Sequence, residues 1–355
     1  MTDLPFLEID GSLGEGGGAI LRLAAGFSLL YKRPIRVSNI RANRPKPGLR
    51  LQHLLGLKML SELTGSTLSK CDVGSTQISL IPRNKIKHQF HIDIGTAANI
   101  GLLLQPIQIA CLGFEDIEKI ELNLDGGGTF GKWAPSLNYL KEVTYQIFNR
   151  SGFKIDIKIQ RHGFYPKGGA KINSILYPPK TELKPIILTE LGELNKIEGE
   201  IIITTQLKSP KSKIDERIKK TIHDIIRKQL QIQTDIKVSW VNSLSPGVGV
   251  SLWAHSDTGA ILSTGTLLGE KRISSEKLGA TAANELLKYI RNNIPVDNYL
   301  SDQLLPLMAY INAPSKITVL EITNHAKTNL ELIKWFTNRE YRIIKEKNGY
   351  SIEYF

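Results

Sequence analysis

The chain of 355 residues predicts an α+β protein: one body of three repeated α/β units, with a small α/β domain inserted into it. Three observations predict it. The length exceeds what a single hydrophobic core usually spans. A strand–loop–helix pattern at the start returns loosely along the first half and again near the end. Between the two runs a Pro/Lys-rich hinge, LYPPKTELKP, opens a stretch of different style. Residues 1–185 and 295–355 are therefore expected to form the main body, and residues 186–294 the insert.

In the first unit FLEIDG alternates like a half-buried strand, GSLGEGGG is a glycine loop, and AILRLAAGFSLLYK carries apolar residues at helical spacing. PIRVSNIRA follows as a strand, GLRLQHLLGLKMLSELTG as a helix stopped by glycine, and STQISLIP and HQFHIDIG as two more strands. The second unit runs on through the helix TAANIGLLLQPIQIACLG, the strand KIELNLDGGG, the helix PSLNYLKEVTYQIFNRSG and the strands FKIDIKIQRHG and AKINSILYP. In the insert IEGEIIITTQL, DIKVSWVN, GVSLWAHS and AILSTGTLL read as strands. A basic amphipathic helix spans about Ile214 to Leu230, and a second helix, SSEKLGATAANELLKYIRN, is capped by Ser274. The helix YLSDQLLPLMAYIN, the strand KITVLEITNH, the helix KTNLELIKWF and the closing YRIIKEKNGYSIEYF complete a third unit.

Hydrophobic residues at 41% and charged residues at 23% are ordinary for a soluble globular chain, and no low-complexity tract breaks the pattern. Lys and Arg total 46 against 34 Asp and Glu, a formal +12, which favours polyanions such as RNA or nucleotides. Many of the lysines fall on a solvated helix, KIDERIKKTIHDIIRK, so charge alone leaves a plain basic surface equally open. Two cysteines, Cys71 and Cys111, support neither disulfides nor a cysteine metal site, which fits a reducing cytoplasm. The uncharged run from Ile94 to Phe114 is interrupted by Asn99, Gln105, Pro106 and Gln108, so a buried core helix is expected rather than a membrane span. The acidic start MTDLPFLEID has no basic n-region and reads as no signal peptide.

GSLGEGGGAILR places glycines where backbone N–H groups can approach an anion at a helix start. It lacks the GK[ST] of a P-loop. Gly14, Gly16 and Ala19 satisfy G-x-G-x-x-A, yet FLEID alternates where a dinucleotide-binding strand is continuously apolar, and Arg41 stands near where an acidic residue is needed. Glu15 is the odd residue of the loop. A carboxylate among phosphate-binding amides repels phosphates unless it holds a cation, and Mg²⁺ is usually bound by one or two carboxylates plus phosphate oxygens. A solvent-facing glutamate is the plainer alternative.

RANRPKPGLRLQH gathers Arg41, Arg44, Lys46 and Arg50 around two stiffening prolines. Guanidinium forks suit phosphate oxygens, and a rigid loop lowers the ordering cost of holding them. A bland basic loop has the same composition. DGGGTFGKWAP and RHGFYPKGGA set glycines beside cationic and aromatic residues, which suits stacking on a base as well as a tight turn. His325 lies at a strand-to-helix junction. Neutral imidazole attacks phosphorus without first losing a proton, and the phosphoramidate formed is a reactive donor, so a histidine can relay a nucleotidyl group. A histidine near a helix start is also a common structural feature.

Taken together, DGSLGEGGGAILR, IRANRPKPGLRLQH, IGTAAN with Gln105, GGTFGKWAP, RHGFYPKGGA, SPGVGVSLWA, GEKRISSE, YLSDQLLPLMA and NHAKTN resemble, in order and over nearly the whole chain, the RNA 3′-terminal phosphate cyclase family. RHGFYPKGG and the H-x-x-T-N run are the most specific of these. The resemblance implies a fold like that of the cyclases and enolpyruvyl transferases, with repeated α+β units and an inserted domain. It implies an enzyme that uses ATP and a divalent metal, Mg²⁺ or Mn²⁺, to convert an RNA 3′-phosphate end into a 2′,3′-cyclic phosphate.

By motif match, His325 looks like the nucleophile that takes AMP from ATP, and Glu15 like the metal-binding glutamate. Arg22, Arg41, Arg44 and Gln52 look like the phosphate-contacting set. Gln105, Pro135, Tyr139, Tyr299, Asp302 and Gln303 fall where the family forms its nucleotide pocket. The sequence departs from the family at Ala19, at the order Leu49-Arg50-Leu51, at Phe130 after GGT and at Ala170 in the YP-x-GGG loop. Two rivals stand beside this reading: a cyclase-like, non-catalytic ribosome-assembly binding factor, which lacks the nucleophilic histidine, and an enolpyruvyl transferase, which needs neither histidine adenylation nor RNA. No membrane association is implied, and a homodimer stays open.

Overall fold

The structure, a computed structural model, describes residues 4–14, 16–132 and 134–355. In the first sheet β1 (Leu7–Asp10), β2 (Ile35–Ser38), β3 (Thr67–Leu68) and β4 (Ile78–Ile81) lie in the order β1-β2-β4-β3. α1 (Gly18–Leu30) and α2 (Leu51–Thr64) connect its strands. The strand β2 is shorter than PIRVSNIRA promised, because Asn39 and Arg41 both take positive φ and turn the chain out of the sheet. The second sheet takes β5 (Gln89–Asp93), β6 (Ile120–Asp125), β7 (Lys154–Arg161) and β8 (Lys171–Tyr177) in the order β5-β6-β8-β7.

α3 (Ile100–Cys111) joins β5 to β6. The helical stretch before β7 has three parts: α4 (Leu137–Tyr139), a π turn over Leu140–Thr144, and α5 (Tyr145–Ser151). Alternation set these strands as expected. Along β7, Ile155 and Ile157 are buried while Lys154, Asp156 and Lys158 are exposed.

β9 (Ile187–Leu188) opens a third sheet, and the chain then leaves it. A separate sheet of β10 (Leu194–Thr204), β11 (Thr234–Val241), β12 (Val248–Ser256), β13 (Ile261–Ser263) and β14 (Leu267–Leu268) follows, with α6 (Ile214–Arg227) and α7 (Ser275–Arg291) packed against each other and on it. AILSTGTLL is not one strand but two, broken where Gly265 takes φ +69°. Of α6 only Ile218, Ile222 and Ile226 are buried, one stripe at spacing four, and the charged remainder is left to solvent. The chain returns through α8 (Asn298–Tyr310), β15 (Ser315–Val319), α9 (Asn324–Phe336), β16 (Tyr341–Lys345) and β17 (Tyr350–Tyr354). The third sheet is then ordered β16-β17-β15-β9.

In the first, second and third sheets alike, the opening pair (β1 with β2, β5 with β6, β9 with β15) is parallel and the remaining pairs are antiparallel. α1 packs on α3 and on α9 at the centre of the body. A Cβ on Gly26 would stand 2.9 Å from the Pro106 carbonyl oxygen, so glycine is what lets α1 and α3 approach. Phe27 is fully buried there beside Phe336, each such ring contributing roughly 2 kcal/mol of hydrophobic stabilisation. α3 is the uncharged run of the sequence; it is buried, and Asn99 caps it by accepting from Leu102 N at 3.0 Å. No helix among the described residues is long and apolar enough to cross a membrane. Phe130 and Phe164 of the second unit stack at 4.8 Å over Ile202 of β10, an apolar pin between body and insert.

Candidate active site

The strand expected to reach His325 stops at Val319, and α9 begins at Asn324, so His325 sits inside the first helical turn. The cause is Thr323. Its side chain accepts from Ala326 N at 2.8 Å, satisfying one of the donors that a helix start leaves over. The same hydroxyl donates to Asp302 Oδ1 at 3.0 Å, and Asn329 Nδ2 donates to the Asp302 carbonyl at 3.3 Å. Residues flanking the histidine thus clamp α9 to α8 at Asp302. His325 is exposed, and the dipole at the start of its helix favours a phosphate nearby.

Tyr299, Asp302 and His325 line one cleft of about 410 Å³, together with Thr264 and Thr266 of the insert. Pro135 is tied to this wall through its neighbour, because Ser136 N donates to Thr266 Oγ1 at 2.9 Å. Tyr139 is fully buried below and meets Tyr299 edge-on, with ring centroids 6.1 Å apart. Its hydroxyl donates to Asp297, which also accepts from Tyr299 N and Leu300 N as the cap of α8 and from Ser263 N of the insert. Burial pushes the Asp297 carboxyl up to about 6, against the pull of those four donors.

Gln303 follows Asp302 on α8 and lines, with Gln105, a second small cleft between α8 and α3. Gln105 Oε1 accepts from Arg22 Nε at 3.0 Å. Desolvation lowers Arg22 to about 10, so its guanidinium stays charged at neutral pH. Gln52 Oε1 accepts from Asn99 N at 3.0 Å, joining α2 to the start of α3. Arg41 donates to the carbonyls of Lys46 and Gly48, at 2.6 and 3.1 Å, and braces its own loop. Burial, with Arg50 and Arg44 beside it, lowers the Arg41 pKa.

The glycine loop lies between these groups. A Cβ on Gly17 would stand 3.2 Å from Arg44 Nη2, one on Gly18 would strike His53, and one on Gly14 would fall 2.2 Å from Thr328 Oγ1 on α9. Arginine loop, Arg22 and histidine helix are held against one loop. Glu15, the residue expected to bind a metal, lies outside the described residues. Among the described residues no three His, Cys, Asp or Glu side chains gather where they would hold a metal ion.

Sequence reasoning passed over His53, Asp297, Thr323 and Asn329. His53 Nδ1 accepts from Arg50 N at 3.1 Å, so a neutral ring carries its proton on Nε2, towards the glycine loop. Burial first, then Arg22, Arg41 and Arg50, lower His53 to about 3. It is a neutral donor among cations, suited to an anion. The signals were present: His53 ends the quoted basic loop, and Asp297 and Thr323 stand immediately before helices, where capping residues belong.

A family model described as RNA 3′-terminal phosphate cyclase matches residues 13–343. The chain belongs to that family. Proteins named RNA 3′-terminal phosphate cyclase from Methanopyrus kandleri and Pyrococcus abyssi are 35% and 36% identical to it, over 94% of this chain and 94% of theirs. One of the same name from Methanothermobacter thermautotrophicus is 34% identical over 97% of this chain and 98% of its own. Every described candidate residue, from Arg22 to His325, falls inside the span matched to the RNA 3′-terminal phosphate cyclase family.

Proposed function

We propose that the chain is an ATP-dependent RNA 3′-terminal phosphate cyclase that passes AMP through His325. The observation that carries this reading is the placement of an exposed histidine, in a helix first turn, at the rim of a cleft with Tyr299 and Asp302 and across the glycine loop from a set of arginines. In this reading ATP lies with its adenosine in the cleft of Tyr299 and Asp302, with Tyr139 buried beneath it, Pro135 beside its Thr266 wall, and Gln105 and Gln303 in the small cleft on the other side of α8. Its phosphates face Arg22, Arg41, Arg44 and Gln52.

An imidazole nitrogen of His325 attacks the α-phosphorus; the P–N bond forms, the bond to the bridging oxygen breaks, and pyrophosphate leaves with its charge met by the guanidiniums. The RNA 3′-phosphate oxygen then attacks the same phosphorus, breaking P–N and freeing the imidazole. Last, the vicinal 2′-OH attacks the 3′-phosphorus, loses its proton and expels AMP, leaving the 2′,3′-cyclic phosphate. That closure is intramolecular and gains the proximity advantage of a hydroxyl already beside its target. Asp302 is held by Thr323 and Asn329, so it is a positioned acceptor at the cleft rather than a mobile surface carboxylate.

The donor set that would hold Mg²⁺ or Mn²⁺ is Glu15 together with phosphate oxygens of the nucleotide, a pattern that needs no further protein carboxylate. Such an ion supplies charge neutralisation along the phosphates. The body is read as three copies of one β-α-β-α-β-β unit, supported by the shared pairing pattern and by the prolines that α3 and α8 carry inside them at Pro106 and Pro306. The insert is residues 186–294, with Ile187–Leu188 remaining on the third sheet of the body. Both cysteines are free and buried, and burial pushes each thiol up, which suits a reducing cytoplasm.

The test is an RNA oligonucleotide with a 3′-phosphate, incubated with the protein, ATP and Mg²⁺. The reading expects a phosphatase-resistant end with AMP and pyrophosphate released one for one. An end that stays phosphatase-sensitive, with no AMP formed, contradicts it.

A further inference from the structure

A further cleft, of about 650 Å³, runs between β7 of the body and β10 and β11 of the insert. Lys158 and Arg161 stand on the β7 side, Lys237 on β11, and Lys141 at the end nearest α4. Against these four cations the lining holds one carboxylate, Glu200, which accepts from Asn138 Nδ2. Lys141 pairs with Glu142, whereas neither Lys158 nor Lys237 takes part in an ion pair among the described residues. β7 and β11 are both edge strands, so the cleft is open along its length. Ile159, Ile202 and Val241 give it short apolar patches between the charges.

Two features connect this cleft to the site. α4 bridges the two: Asn138 lines the basic cleft, and the next residue, Tyr139, reaches Asp297 beneath the cleft of His325. The loop that continues from Arg161 and His162 carries Tyr165, 81% exposed, and is docked on the insert where Lys167 N donates to Ser245 Oγ at 3.0 Å. Phe130 and Phe164 pin the same junction, so the cleft is preformed rather than assembled on binding.

We propose that this cleft holds the RNA strand leading to the reacting 3′ end, gripping its ribose-phosphate backbone and offering Tyr165 to a base. This rests on the cyclase reading. Cations on both walls suit a polyanionic backbone, short apolar patches suit riboses, and an exposed ring stacks on any base, so recognition here is independent of sequence. An extended peptide adding to the edge of β7 or β11 is the competing occupant, and the cationic lining disfavours it.

The test pairs Lys158→Gln with Lys237→Gln, both exposed and outside the catalytic machinery. Cyclisation is measured on a dinucleotide 3′-phosphate and on a longer single-stranded RNA with the same end. The expected result is a KM for the long RNA raised on the order of tenfold, an unchanged kcat, and no change on the dinucleotide. The salt dependence of binding should fall by about 1.4 in log–log slope, from two lost phosphate contacts. An unchanged KM on the long RNA, or an equal loss on the dinucleotide, overturns the proposal.

Binding of a fluorescent RNA lacking the 3′-phosphate separates the two readings. If wild type cyclises nothing but the double variant still loses affinity, the cyclase reading fails and the cleft stands. If cyclisation proceeds and the variant binds as wild type does, the cleft fails alone. Displacement of that RNA by poly-glutamate at matched charge would also overturn the assignment to RNA.

Discussion

Tyr139 donates its hydroxyl to both oxygens of the Asp297 carboxylate, at 2.8 and 3.0 Å, in the fully buried floor beneath the His325 cleft. Asp297 also holds Ser263 N of the insert and the N–H groups of Tyr299 and Leu300 in the first turn of α8, so one carboxylate fastens the second unit, the insert and the nucleotide-side helix together. Tyr139→Phe keeps the ring and removes one of four donors to a buried carboxyl. A loss of about 1–3 kcal/mol in denaturant unfolding is expected, with a raised KM for ATP. Unchanged stability would mean that the pair does not fasten these parts.

Thr323 both caps α9 and holds Asp302. Thr323→Val keeps the shape and loses both bonds, so about 1 kcal/mol of stability should go. The larger effect falls on turnover, because a shift of His325 and Asp302 relative to one another costs between about tenfold and a hundredfold in kcat. Thr323→Ser restores the hydroxyl and should recover most of it. A valine variant with normal kcat would remove the positioning role.

Gly14 takes φ +58° and lies against Thr328, so Gly14→Ala is strained by backbone and by contact at once. Activity should fall at least tenfold as the glycine loop and α9 are pushed apart, a misplacement penalty of the usual size. Thr328→Ala in the same chain removes the colliding hydroxyl and should restore part of that loss. Two mutations that simply add would show that the contact does not couple loop and helix.

The pH dependence of stability carries a signature of His53. The unfolded ring takes its proton near 6.5, the folded one only near 3, so the unfolded state binds more protons between the two. Stability from this group is complete above about pH 6.5 and is lost as pH falls towards 3. His53→Gln should therefore show a shallower decline of Tm than wild type across that window, measured by calorimetry. Parallel declines would show that the ring is not held neutral.

Local structure was legible where a local cause sets it. Ser274 was read as the cap of α7, and it accepts from Lys277 N at 3.1 Å. The alternation of FKIDIKIQ, the glycine stop after α2 and the buried character of α3 were readable for the same reason. What depends on distant partners was not. β3 and β9 have two residues each, too short to show a period, and exist because β4 and β15 are beside them. The π turn within residues 137–151 has no sequence mark.

At the site, the residue types stood in view but their pairings did not. Arg22 and Gln105 are 83 positions apart and meet because α1 packs on α3. The capping of α8 by Asp297 could be read from its place before the helix, but its partners at residues 139 and 263 could not, because only the fold brings them to that carboxylate.

The central claim is that His325 carries the nucleotidyl group. The direct measurement is to incubate the protein with Mg²⁺ and ATP labelled on its α-phosphate, denature it, and follow the protein-bound label in wild type and in His325→Ala. Label that stays on wild type, is absent from the folded variant, and is released by acid as a phosphoramidate should be, is the expected result. No label on folded wild type, or label that persists in the variant, would contradict it.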